Sequence, residues 1–253
     1  MRILILGGTT EASALAKALA ADTSFAPILS PILSLAGRTR TPALSPIPAR
    51  RGGFGGPEGL AAYLGAEHIG ALVDATHPFA RIISANAVIA AAAAGIPRLA
   101  LQRPEWRPAP GDRWIPVATM DHAAMAIGAA PRRVFLTVGQ QELAPFRAAP
   151  QHDYLIRSVE PPPPEALPPR TRCIEARGPF SEPDEHRLLS EACIEVIVTK
   201  NSGGGATAPK LAAARALGLP VIIVARPPPP EPPVVATVED ALAWLHHVAR
   251  RGV

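Results

Sequence analysis

The sequence predicts an α/β protein with mainly parallel sheets, arranged in two halves of similar size. Short apolar segments alternate with Ala-rich or amphipathic helical segments along all 253 residues. This alternation is typical of parallel strands joined by crossover helices. Two of the apolar segments are followed by glycine-rich turns, at residues 7–8 and 200–205. A ligand cleft between the two halves is the natural expectation for this organisation.

The first half contains the elements of a nucleotide-binding unit. Strands are predicted at 2–6, 27–35, 69–73 and 97–101, and helices at 11–21, 57–64 and 78–94. Residues 41–57 are rich in Pro, Gly and Arg and are predicted to form a long loop. We place the domain boundary after the connector at 103–111, which gives domains 1–112 and 113–253.

The second half repeats the alternation. Strands are predicted at 114–117, 133–138, 153–158, 173–176, 194–199 and 220–224. Helices are predicted at 120–129, 140–147, 181–192, 209–217 and 237–250. Ser181 and Thr237 precede acidic residues at the spacing of helix N-caps.

Composition excludes several classes of protein. The two cysteines, Cys173 and Cys193, fit neither a disulfide framework nor a zinc motif, and no metal site is expected. No signal peptide is visible and no apolar segment approaches the roughly 18 residues that cross a bilayer, so a cytoplasmic protein without a membrane partner is expected. A net charge of +4 with 4% aromatic residues argues against nucleic acid. No protein partner is evident.

The turn after the first strand is a candidate phosphate site. Gly7 and Gly8 are followed by Thr9, Thr10 and Glu11 at the start of a helical pattern. A glycine turn lets backbone approach a ligand, and a helix N-terminus attracts anions. Only the first glycine of the G-x-G-x-x-G fingerprint is present, so a glycine turn that binds nothing is the alternative.

The end of the second predicted strand indicates which dinucleotide would bind. Ser34, Arg38 and Arg40 occupy this region, and no acidic residue accompanies them. An acid there favours NAD, whereas an arginine accommodates the 2′-phosphate of NADP. The pattern therefore favours NADPH if a dinucleotide binds; a solvated arginine turn is the alternative.

Polar residues also follow two later strands. Asp74, Thr76 and His77 follow the third, where His77 is either a general acid, a polar contact or a helix-start hydrogen-bonding group. Lys200 lies at the mouth of the turn TKNSGGG, whose backbone amides can form an anion nest. The P-loop spacing is absent there, and a flexible turn with a solvated lysine is the alternative.

Taken together, these motifs resemble the precorrin-6A reductases of vitamin B12 biosynthesis. GGTTEA, SLAGRT, DATHPFA, TVGQQEL, GPFS and TKNSGG occur in the family's order, followed by Lys210 and GLPVIIVARP. The resemblance covers nearly the whole chain. It implies two Rossmann-like domains with cofactor and substrate in the cleft between them.

The resemblance also implies an activity and a set of site residues. NADPH would deliver a hydride to C19 of precorrin-6A and a proton would reach C18, giving precorrin-6B. The implied catalytic residues are His77 and Lys200. The implied cofactor contacts are Gly8, Thr9, Thr10, Glu11, Ser34, Arg38, Thr76, His77, Gly139, Lys200 and Ser202. The implied substrate contacts are Asp74, Pro78, Asn201, Gly203 and Gly204.

Several alternatives remain open from the residues alone. The proton donor is His77, Lys200, Asp153, Tyr154 or a bound water. An NADPH enzyme acting on a smaller substrate, an NADP(H)-binding regulatory protein and an α/β sugar-nucleotide transferase share the same broad fold expectation.

Overall fold

The computed structural model describes residues 1–22, 28–37 and 44–251. The strands are β1 (Arg2–Leu6), β2 (Ser30–Leu35), β3 (Ala49–Arg51), β4 (Ile69–Asp74), β5 (Arg98–Leu101), β6 (Arg113–Val117), β7 (Arg133–Leu136), β8 (Asp153–Ser158), β9 (Thr171–Glu175), β10 (Val196–Lys200), β11 (Pro220–Val224) and β12 (Val234–Val235). The helices are α1 (Thr10–Ala21), α2 (Pro57–Ala66), α3 (Arg81–Ala94), α4 (Met120–Ala126), α5 (Glu182–Glu191), α6 (Pro209–Ala216) and α7 (Val238–Arg251).

The chain forms two compact units, each with its own parallel sheet. The first unit comprises Met1–Pro104 and Pro227–Val253, and the second comprises Glu105–Arg226. All strand pairings among the described residues are parallel. The predicted α/β class with parallel sheets is therefore confirmed.

The first sheet has the strand order of dinucleotide-binding folds. Its described strands lie in the order β12-β5-β4-β1-β2-β3. The order reverses between β1 and β4, where Leu6 pairs with Asp74 on one side and with Ser34 of β2 on the other. Ligands of such sheets bind at the carboxyl ends of the strands beside this reversal. The predicted motifs at the ends of β1 and β4 therefore lie side by side.

Alternate residues of β1 face two different helical layers. Ile3 and Ile5 pack in a core with Leu15 of α1 and Leu245 of α7. Leu4 and Leu6 face the other layer, which α2 and α3 supply. A strand buried on both faces needs apolar residues at every position, which explains the uninterrupted ILIL sequence.

The end of the chain belongs to the first unit, in contrast to the expected domain 113–253. Val234 and Val235 of β12 pair with Ala100 and Leu101 of β5. Helix α7 buries Ala241 and Leu245 in the first core. The apolar face of α7 predicts a packed helix, but its periodicity does not specify which sheet it covers.

The second sheet repeats the topology with its own residues. Its described strands lie in the order β6-β11-β10-β7-β8-β9, and the order reverses between β7 and β10. The core contains Phe135, Leu155, Ile197 and Leu211, all of them buried. The carboxyl ends of β7 and β10 carry the motifs TVGQQEL and TKNSGG.

Two predicted segments have a different type of secondary structure from the one expected. The predicted helix 140–147 is instead two short 3-10 helices, Gln140–Glu142 and Ala144–Ala148. Pro145 lacks the N–H that an α-helical bond at this position would need. The predicted loop 41–57 contains the edge strand β3, whose sequence ARR has no apolar alternation to reveal it.

No described helix combines the length and apolar character that crossing a membrane requires. Within residues 1–22, 28–37 and 44–251, no group of three or more His, Cys, Asp and Glu side chains is placed to hold a metal ion.

Candidate active site

The chain leaves β1 through a turn that requires glycine. The N–H of Gly7 donates to the Ser34 carbonyl at 2.9 Å. A Cβ on Gly7 would lie 2.6 Å from Cδ1 of Leu33, so a larger residue would displace that side chain. Gly8 has a φ of +112°, and a Cβ there would meet open space. The turn is therefore tight on its sheet side and open on its outer side, as a bound phosphate requires.

Thr9 links this turn to the neighbouring strand. Its hydroxyl accepts from the Ala12 N–H at 3.1 Å, which caps α1, and donates to the Ala75 carbonyl at 2.7 Å. The first turn of a helix presents N–H groups that have no partner within the helix. The cap thus places the free N–H groups of α1 beside the carboxyl ends of β1 and β4.

Glu11 lies in the first turn of α1 and is already engaged. Its carboxylate forms an ion pair with Arg103, which follows β5, and accepts from the Thr10 hydroxyl at 3.1 Å. This pairing connects the start of α1 to the end of β5. A contact from Glu11 to a cofactor ribose remains a prediction.

The DATHP segment is organised by a buried carboxylate. Asp74 is 4% exposed and accepts from the N–H of Thr76 at 3.1 Å and from its hydroxyl at 2.6 Å. The Thr76 hydroxyl also lies 3.3 Å from the hydroxyl of Ser84. Asp74 thereby fixes the turn that carries Thr76, and a direct contact from Asp74 to substrate is untested.

His77 is half-buried at the same edge. Its Nδ1 accepts from the Phe79 N–H at 3.3 Å. A neutral imidazole with an accepting Nδ1 carries its proton on Nε2, so Nε2 can donate. Pro78 precedes α3, which begins at Arg81 and not at Pro78 as predicted.

Of the predicted 2′-phosphate contacts, Ser34 alone belongs to the described residues. Arg38 and Arg40 lie outside the described residues. Ser34 is 5% exposed, and its hydroxyl accepts from Nη1 of Arg50 at 2.8 Å. Arg50 was not a predicted site residue, because it lies in the segment 41–57 that was predicted as a loop.

In the second unit, Lys200 and Glu142 form the polar centre of the strand reversal. Lys200 Nζ lies 2.9 and 2.7 Å from the two carboxylate oxygens of Glu142. The Gly139 N–H donates to the same carboxylate at 2.9 Å. Glu142 was missed, although a Glu three residues after a turn residue is the spacing at which it reaches back to the N-cap N–H.

Asn201 and Gly204 hold the connector that precedes β6. The Asn201 side chain accepts from the Trp106 N–H at 2.8 Å and donates to its carbonyl at 3.1 Å. The Trp106 indole N–H donates to the Gly204 carbonyl at 2.9 Å. The buried Lys210 ammonium lies 4.7 Å from that ring. These contacts give the TKNSGG turn a structural role, and its predicted ligand contacts stay untested.

Ser202 and Gly203 complete this turn. The Ser202 N–H donates to the Lys200 carbonyl at 2.7 Å, and Arg226 Nη2 donates to the Ser202 carbonyl at 2.8 Å. Gly203 has a φ of +66°, a conformation that favours glycine. The loop after β10 therefore has a defined shape.

Two of the candidate proton donors, Asp153 and Tyr154, lie away from the strand ends where a ligand is expected to bind. Asp153 and Tyr154 begin β8, at the opposite edge from the strand ends that carry the motifs. The Tyr154 hydroxyl donates to the carbonyls of Phe146 and Ala149, and burial raises its pKa to about 12. Asp153 pairs with Arg170. His77 and Lys200, at carboxyl ends, are the better placed candidates.

The predicted residues therefore gather into two groups, one at each strand reversal. Gly8, Thr9 and Thr76 lie at the reversal of the first sheet, and Gly139, Lys200 and Ser202 lie at that of the second.

Comparisons with known proteins show which family the chain belongs to. The family model "Precorrin-6x reductase CbiJ/CobK" matches residues 2–246. A precorrin-6A reductase from Sinorhizobium sp. is 51% identical over 246 residues, covering 97% of this chain and 93% of the relative. One from Rhodobacter capsulatus is 47% identical over 254 residues, covering 100% and 99%. The solved structure of CobK precorrin-6A reductase has a TM-score of 0.91 and 46% identity, covering 98% of this chain and 97% of that one. The resemblance inferred from the motifs is thus confirmed, and the chain belongs to the precorrin-6x reductase CbiJ/CobK family.

Proposed function

We propose that this protein reduces precorrin-6A to precorrin-6B with NADPH, with hydride delivery to C19 and proton delivery to C18. The family consists of reductases, and relatives named precorrin-6A reductase match nearly the whole chain at 47–51% identity. The structural observation that carries the proposal is the Gly7–Gly8 turn joined through Thr9 to the end of β4. No observation favours the regulatory or sugar-nucleotide alternatives, and the expected cytoplasmic location remains a prediction.

The first unit suits a nicotinamide dinucleotide. The open outer side of Gly8 and the capped start of α1 fit a pyrophosphate group. We assign the cofactor's phosphates or ribose to Gly8, Thr9, Thr10 and Glu11, with Glu11 on the ribose because its carboxylate would repel a phosphate. Ser34 and Arg38 are assigned to the 2′-phosphate, because the end of β2 is where NAD and NADP are distinguished. The absence of an acid from the sequence SLAGRT favours NADPH over NADH.

The chemistry depends mainly on positioning. NADPH, when bound, supplies the hydride, and the conjugated macrocycle can delocalise the electrons it receives. The protein must place a proton donor within hydrogen-bond reach. We propose Nε2 of His77 or the Lys200 ammonium for this role.

The other predicted contacts keep their assignments within the proposal. Thr76, Gly139 and Ser202, with His77 and Lys200, are assigned to the cofactor. Asp74, Pro78, Asn201, Gly203 and Gly204 are assigned to the substrate, Asp74 through the turn that it fixes.

Titration with NADPH and NADH tests the cofactor assignment. We expect clear preference for NADPH, and we expect Arg38→Ala to reduce that preference by about tenfold, the value of one charge-assisted contact. Arg113→Ala is the matched control, because Arg113 is an exposed arginine of β6 in the second unit. Failure of the wild-type protein to bind either nucleotide would contradict the proposal.

A further inference from the structure

Arg50 lies beside the predicted 2′-phosphate site. In the register of the sheet, Arg50 of β3 pairs with Ser34 of β2. Its Nη1 donates to the Ser34 hydroxyl at 2.8 Å and to the Gly52 carbonyl at 3.0 Å, and its Nη2 donates to the Gly53 carbonyl at 3.2 Å. The guanidinium therefore spans the carboxyl ends of two neighbouring strands.

Aromatic rings also fix the guanidinium in place. Its central carbon lies 4.0 Å from the centre of the Phe54 ring and 5.0 Å from that of Tyr63. The two rings contact each other edge to face at 5.2 Å. An arginine held in this way loses little conformational entropy when it binds an anion.

The charge of Arg50 is not neutralised by a carboxylate among the described residues. Its acceptors there are a hydroxyl and two carbonyls. By contrast, Arg2 and Arg103 form ion pairs with Glu67 and Glu11. A fixed, half-buried cation with neutral acceptors is an arrangement that attracts an anionic ligand.

The location indicates which anion this is. The end of β2 faces the adenosine ribose in folds with this strand order, and an arginine there accommodates the 2′-phosphate. Gly52, next to the guanidinium, has a φ of +114°, and Gly53 would place a Cβ in open space. The backbone around Arg50 therefore leaves room for a ligand group.

We propose that Arg50 is a specificity-determining residue that contacts the 2′-phosphate of NADPH together with Ser34. The inference rests on the proposed NADPH-dependent function and is independent of Arg38. It assigns the β3 edge strand, with its ARR sequence, a part in cofactor selection. The competing account is that Arg50 only braces the glycine-rich loop after β3.

Binding of adenosine 2′,5′-bisphosphate and of adenosine 5′-monophosphate separates the two accounts. Each ligand is titrated by calorimetry against the wild-type protein, Arg50→Gln, Arg50→Lys and the control Arg2→Gln. Arg2 is the first residue of β1, so it lies at the amino ends of the strands of this sheet, away from the carboxyl ends where Arg50 lies. We expect Arg50→Gln to weaken binding of the bisphosphate about tenfold and to leave the monophosphate within about twofold. Arg50→Lys should recover part of the loss, and Arg2→Gln should change neither affinity.

Each result has a distinct meaning. If Arg50→Gln weakens the binding of both ligands equally, or leaves the affinity for the bisphosphate unchanged, Arg50 does not contact the 2′-phosphate. The proposed function would still hold in that case, provided that the wild-type protein binds the bisphosphate more tightly than the monophosphate. A wild-type protein without that preference would overturn the cofactor assignment itself. If Arg50→Gln does not fold, Arg50→Lys, which retains the positive charge, is the deciding variant. A partial loss of affinity for the bisphosphate alone supports the inference, and equal losses of affinity for both ligands overturn it.

Discussion

Replacing Glu185 with alanine will lower the free energy of unfolding of the second unit by about 3–5 kcal/mol, the usual cost of leaving one partner of a buried ion pair alone. Glu185 is 2% exposed and Arg157 is 9% exposed. The pair is bidentate, with Nη2 of Arg157 lying 3.1 Å from the second carboxylate oxygen. The guanidinium also lies 3.7 Å from the Phe180 ring and 5.0 Å from the Phe135 ring. Without Glu185, the Arg157 charge stays buried among apolar groups.

Urea denaturation of the whole chain measures this effect. Glu191→Ala is the matched control, because Glu191 is an exposed carboxylate at the end of the same helix. The double variant Arg157→Met with Glu185→Leu should recover most of the lost stability, since apolar residues of similar volume often replace a buried pair without cost. A Glu185→Ala variant as stable as the Glu191→Ala control would show that the pair carries no such energy.

Replacing Lys200 with methionine will lower kcat/KM for the reduction by about 10- to 100-fold, the range expected for one lost charge-assisted contact to an anion or for a lost proton donor. Methionine keeps the length of the side chain and removes its charge. The lysine side chain is 14% exposed and lies at the end of β10, where a ligand of the second sheet would bind.

Steady-state kinetics should separate the two roles of Lys200. Loss confined to KM indicates a binding contact, and loss in kcat indicates a part in the chemical step. Lys17→Met is the control, because Lys17 is an exposed lysine of α1. Glu142→Gln should cause a smaller decrease, since the amide oxygen can still accept from the Gly139 N–H. Unchanged kinetics in Lys200→Met would remove Lys200 from the site.

Local sequence patterns identified most elements of the fold. The apolar segment 2–6 indicated β1, because a strand buried on both faces admits mainly apolar residues. The glycines after it indicated the turn, because the φ of +112° at Gly8 favours glycine. The partner of α7 was not predictable in the same way. Its buried Ala241 and Leu245 indicate an apolar face, and only the folded chain specifies that α1 and β5 receive it.

The site was predictable where it follows from topology. The carboxyl ends of neighbouring parallel strands meet at one edge, so the ends of β1 and β4 were expected to meet. Pairings across long separations were not predictable, because Lys200 and Glu142 are 58 positions apart. Arg50 was missed for a related reason: its partners Ser34 and Phe54 become neighbours only when β3 joins the sheet.

The most direct test of the central claim follows the transferred hydrogen. Precorrin-6A is incubated with the wild-type protein and NADPH that carries deuterium at both C4 positions. We expect one NADPH to be consumed per precorrin-6A, and one deuterium to appear at C19 of the product by mass spectrometry and NMR. Failure of precorrin-6A to stimulate NADPH oxidation, or a reduced product without deuterium at C19, would contradict the account.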